Sequence, residues 1–145
     1  MNLATRIRVA YFSALSGLSF DGIEIPVFDE VVNPKVTLPT IKGAEVYVLL
    51  QDQQEYEDSS QVVCEYRMIS NITVKVVTKW GLTGNKRLSE DIGQLIDEHL
   101  RGDRNVSQLV DIDRIELEIS RSLPEYSTSN LAFSKILIYK NYIKK

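Results

Sequence analysis

Residues 62–80 read VVCEYRMISNITVKVVTKW. Ile72, Val74 and Val76 recur at a spacing of two, as do Cys64, Tyr66 and Met68, which is the period of a strand with one buried face. At ~3.3 Å per residue an unbroken strand here would be on the order of 60 Å long, beyond the usual span, so an interruption is expected near Ser70 and Asn71. Just upstream, in GAEVYVLL, Val46, Val48 and Leu50 alternate with Glu45, Tyr47 and Leu49, which predicts a strand over 44–51. The residues between, QDQQEYEDSSQ at 51–61, are polar and acidic around one aromatic, Tyr56, and are expected to form a long loop or hairpin tip. Two strands in succession with no crossover helix point to antiparallel pairing.

Helical spacing lies on both sides of this region. Leu3, Ile7, Ala10, Tyr11 and Ala14 predict a first helix over 2–16, with Gly17 placed for a left-handed cap. Leu88, Ile92, Leu95, Ile96 and Leu100 predict a second that ends at Gly102. Near the C-terminus, Ile115, Leu117 and Ile119 alternate with polar residues. A turn over 124–130 and a last strand over 131–143 would complete an antiparallel hairpin. The expected fold is one α+β domain over residues 1–145, a mostly antiparallel sheet with two main helices on one face. An extended arm at about 22–43 opens with GIEIPVFDEVVNP, whose prolines, Pro26 and Pro34, bar it from the middle of a sheet. It must lie on a sheet edge or pack on something outside its own fold.

Composition narrows the function classes. A 145-residue chain buries roughly 70 % of its unfolded surface, enough for one real core. A net charge of −3 argues against phosphate-gripping nucleic-acid binders. One cysteine rules out an internal disulfide, and one histidine leaves too few ligands for zinc. No apolar run approaches ~20 residues and the N-terminus lacks a leader pattern, so neither a membrane protein nor an exported one is expected.

Possible chemistry is sparse. His99 sits beside Asp97 and Glu98, yet a helix C-terminus already favours a cation there. Cys64 has no histidine placed to activate it. GLTGNK at 81–86 lacks the spacing and hydroxyl of a phosphate loop. Glu55, Glu57 and Asp58 lack the regular ligand spacing of a cation loop. The tail YKNYIKK mixes tyrosines with lysines, but on so short a terminal stretch that a solubilising end is the simpler reading. No catalytic, metal or cofactor site is expected.

The order of segments resembles the tail-completion or tail-terminator family of tailed bacteriophages. An N-terminal helix is followed by GIEIPVFDE, a strand (EVYVLL), a variable polar stretch, a strand ending in an aromatic and a glycine (VKVVTKWG), and at once a helix (LSEDIGQLIDEHL). The resemblance covers most of the chain. It implies a structural virion protein of the head-tail neck, assembled in the host cytoplasm. It also implies a homo-oligomeric ring of six or twelve subunits that meets portal, connector or tail-tube proteins and lets DNA pass without specific binding. No catalytic residue comes with the family. Residues expected to touch a neighbouring subunit or partner are Ile25, Pro26, Val27, Phe28 and Val31 in the arm, and Tyr56, Glu57 and Asp58 in the polar stretch. The alternative is a small cytosolic adaptor that binds one protein through an exposed strand edge.

Overall fold

The computed structural model describes residues 2–57, 67–81, 83–102, 112–126 and 130–144. The chain opens with α1 (Leu3–Leu15). Asn2 caps it: its side-chain oxygen accepts the Thr5 amide at 2.8 Å. Gly17, at φ 83°, takes the left-handed conformation expected of it.

The arm then folds into four short strands: β1 (Ser19–Phe20), β2 (Ile23–Glu24), β3 (Val27–Asp29) and β4 (Thr40–Ile41). Asp21 and Gly22, at φ 52° and 74°, form the two-residue turn between β1 and β2. Asp-Gly is a strong short-range hairpin signal. Lys42 and Gly43, at φ 50° and 90°, make the matching turn from β4 into β5 (Ala44–Glu57). β3 runs parallel to β5, Val27 opposite Val48 and Phe28 opposite Leu49. The arm is therefore an edge, as its prolines require: Pro26 contributes only its carbonyl, which accepts the Val48 amide at 2.9 Å.

The main sheet has the order β3-β5-β6-β8-β7, with β4 also on β5. Here β6 is Arg67–Trp80, β7 is Ile112–Tyr126 and β8 is Leu131–Lys144. All pairs except β3 with β5 are antiparallel. Three sequence expectations need correction. The predicted loop at 51–61 is strand as far as Glu57, because β5 keeps pairing with β6 through Gln53, Gln54 and Glu55. The interruption expected at Ser70 and Asn71 is absent: β6 pairs with β8 without a break from Arg67 to Trp80. The irregularity falls instead on β5, between Leu50 and Gln53, where β5 carries one residue more than β6. Last, β7 continues through Pro124 to Tyr126 where a turn was expected. As the last strand of the sheet, β7 tolerates a residue without an N–H.

Both helices lie on one face. α2 (Arg87–Asp97) runs into a π-helical turn at Glu98–Gly102. Leu88, Ile92, Ile96 and Leu100 meet Ile7, Tyr11 and Leu15 of α1 over Val46, Val48, Leu50, Ile72, Val74, Val76, Leu137 and Tyr139. Gly93 lets α2 settle on β8: a Cβ there would come within 2.7 Å of Lys135 Cγ. On the other face a small cluster forms where Phe28, Val32 and Leu38 of the arm cover Tyr47, Leu49 and Val77.

Candidate partner interface

The arm residues singled out in the sequence divide between the inside and the outside of the chain. Ile25 is 2 % exposed and belongs to the main core, its amide bonded to the Leu18 carbonyl at 2.9 Å. Phe28 packs edge-on against Tyr47 with ring centroids 6.1 Å apart. Neither can be offered to a neighbour without opening the subunit's own fold, which corrects the expectation for both. Pro26 and Val27 are half-buried along the edge of β5, and Val31 is 76 % exposed. Of the arm residues singled out, Val31 is the one that stands exposed, and Val36, further along the arm, is 40 % exposed.

Arg8 fixes the arm in place. From α1 its guanidinium donates to the Leu50 carbonyl at 2.9 Å and the Gln51 carbonyl at 2.8 Å, and pairs with Asp29 at the end of β3. Glu30 lies 3.7 Å away. One cation thus satisfies backbone acceptors on the outer edge of β5 and neutralises the arm's carboxylates. An arginine in the first helix, 21 residues before its acidic partner, left no local signal in the sequence.

Beyond the arm β5 continues to Glu57 with no further strand paired on its outer edge among the described residues. Gln53 donates to the Ala4 carbonyl at 2.9 Å and to Ser70 Oγ at 3.1 Å, which seats it against the N-terminus of α1. Gln54 and Glu55 point to opposite faces, yet both are exposed. The backbone of Tyr56 and Glu57 belongs to β5, paired with Ile69 and Met68. Asp58 and Cys64 lie outside the described residues.

Several other polar groups tie elements of the fold together, while Asn71 Oδ1, Trp80 Nε1 and Ser134 Oγ are buried with no hydrogen-bond partner among the described residues. His99 Nε2 lies 2.7 Å from the Ala14 carbonyl, tying the π-helical turn to the end of α1. Asp97 takes both Arg101 nitrogens at 2.7 Å and the Tyr139 hydroxyl at 3.0 Å. Tyr11 donates to Asn141, whose amide donates to the Ser70 carbonyl at 2.9 Å. Burial pushes both tyrosine hydroxyls far above their ordinary range, and the Asp97 carboxylate adds to the effect at Tyr139.

Two clefts flank α2. One of about 380 Å³ lies toward β7 and β8, between Glu90, Asp97, Leu117 and Lys135. Its carboxylates are occupied, Asp97 as above and Glu90 by the Ser122 hydroxyl at 3.0 Å. The other, about 430 Å³, is bounded by Lys42, Trp80, Asn85, Arg87 and Asp91. Among the described residues no group of three His, Cys, Asp or Glu is placed to hold a metal.

No family model and no curated protein matches the sequence. No helix among the described residues is long and apolar enough to cross a membrane.

Proposed function

We propose that this chain is a structural subunit of a phage neck, a ring at the head-tail junction that terminates or connects the tail and lets DNA pass. The observation that carries the reading is the order of elements. A helix leads through the Ile-Pro-Val-Phe-Asp edge strand into a long-stranded antiparallel sheet, and the strand that ends in Trp80-Gly81 turns into the second helix. Apart from the polar stretch after Leu50, which is strand as far as Glu57, that is the order of segments on which the family resemblance rests. The virion would be its place of action, with portal, connector or tail-tube protein as partners.

The adaptor reading relies on an open strand edge. β7, the last strand of the sheet, carries two bulges, between Ile112 and Arg114 and between Leu117 and Ile119, as well as Pro124. Such features blunt an edge against strand addition, and they weigh against that alternative. Co-sedimentation with purified tail tubes and portal rings tests the proposal. Binding to either is expected, whereas a strictly monomeric chain that binds neither contradicts it.

A further inference from the structure

The arm is fastened firmly at two points and lightly between them. Ile25 and Ile41, 2 % and 1 % exposed, belong to the main core. Ile25 donates its amide to the Leu18 carbonyl, and past Leu38 the Pro39 carbonyl accepts the Val46 amide at 3.1 Å, where β4 turns into β5. Between these anchors, over residues 26–38, Phe28 is the one buried residue. It packs with Val32 and Leu38 over Tyr47, Leu49 and Val77 in a cluster separate from the main core, which half-buried Val27 touches from the edge. The stretch pairs with β5 over three residues, Val27 to Asp29. Flanking that pairing, the Val48 amide donates to the Pro26 carbonyl at 2.9 Å and the Glu30 amide to the Leu50 carbonyl at 2.8 Å. Beyond Glu30 the hydrogen bonds turn inward, from Val31 to Asp29 and from Lys35 and Val36 to Asn33. Glu30 itself stands at φ 69°, a left-handed conformation that an L side chain adopts at a cost.

Arg8 holds this stretch from one side. Its bonds to the Leu50 and Gln51 carbonyls are made to β5 and not to the arm, so they do not depend on the arm being down. What the arginine gives the arm is the pair with Asp29, whose side chain is 48 % exposed. Pairs that reach solvent in this way are screened by salt and contribute modestly. A segment held by one buried ring, three paired residues and a half-exposed ion pair opens at less cost than the sheet beneath it.

We propose that residues 26–38 form a strap that opens as one unit on hinges at Ile25 and Ile41, with the Arg8–Asp29 pair as its latch. Opening uncovers Tyr47, Leu49 and Val77 and frees the outer edge of β5 over 48–50. Among the described residues that edge is then unpaired as far as Glu57. An open edge beside apolar side chains invites a foreign strand, and the closed strap keeps it from pairing. The device belongs to the single subunit and holds whether or not the chain assembles into a ring.

Native-state hydrogen exchange on the purified full chain tests this, because four amides report on the two sides of the hinges. Glu30 and Val48 bond across the strap, and Ile25 and Val46 bond outside it. Glu30 and Val48 should share one protection factor, roughly tenfold or more below those of Ile25 and Val46, and should depend little on dilute urea because the opening exposes little surface. Asp29→Asn should speed exchange at both by the same factor, about tenfold. If that variant fails to fold by circular dichroism, the comparison of the four amides in the wild type decides alone. Unequal factors at Glu30 and Val48, or protection equal to that of Ile25 and Val46, overturns the strap. A folded Asp29→Asn protein that leaves both rates unchanged overturns it as well, because the latch would then be idle.

Discussion

Phe28 and Val31 lie three residues apart in the arm and should respond to substitution in opposite ways. Phe28 is held by Tyr47, Leu49 and Val77, so Phe28→Ala should cost about 3 kcal/mol in chemical denaturation. Val31 is exposed, and Val31→Asp should stay within about 0.5 kcal/mol. The buried tyrosines set an alkaline limit. Tyr11 and Tyr139 have folded pKa values raised above the unfolded value of 10. Their neutral forms are thus favoured by folding, and that contribution is intact below pH 10. Above it the unfolded chain ionises while the folded chain does not, so stability should fall by about 1.4 kcal/mol per pH unit for each tyrosine. Urea titrations at pH 9, 10 and 11 should show the decline, and it should be shallower in Tyr139→Phe; a flat profile would refute the assignment.

At the scale of elements, the sequence was legible wherever apolar residues repeat on one face. α1, α2, β6 and the β7–β8 hairpin stand where periodicity places them. β5 beyond Leu50 was not legible, because QDQQEYE has no apolar alternation. It is strand because β6 holds it by backbone bonds and because Gln53 reaches α1. The interruption expected at Ser70 and Asn71 lies instead on β5 for the same reason: polar residues absorb an extra position more easily than the continuous Ile72–Val77 face. The arm was half legible. Its prolines announced an edge, while the burial of Ile25 and Phe28 depends on partners that only the tertiary fold supplies. Glycines make a further test at this scale. A Cβ on Gly84 would lie 2.2 Å from Trp80 Cγ, so Gly84→Ala should cost roughly 1–3 kcal/mol as the turn into α2 is forced off the indole. Gly93→Ala gains about 1 kcal/mol of helix propensity, but its Cβ would lie 2.7 Å from Lys135 Cγ near the base of that side chain, so α2 is pushed off β8 and the change should be destabilising by less than Gly84→Ala. Thermal melts followed by Trp80, the one tryptophan, would separate the two.

For the whole molecule, the account requires surfaces that join subunits and no centre that performs chemistry. Around α2, Glu90, Asp97, Tyr139 and His99 are tied to one another, to Ser122 and Arg101, and to backbone. Among the described residues the apolar side chains left exposed are Val9 and Phe12 of α1, Val31 and Val36 of the arm, and Ile119 and Tyr126 of β7. Light-scattering mass and negative-stain microscopy on one purified sample test the requirement for subunit-joining surfaces most directly. The account predicts closed rings with a central opening, at six or twelve times the 16.5 kDa subunit, and a folded 16.5 kDa monomer that forms no ring alone or with tail tubes would contradict it.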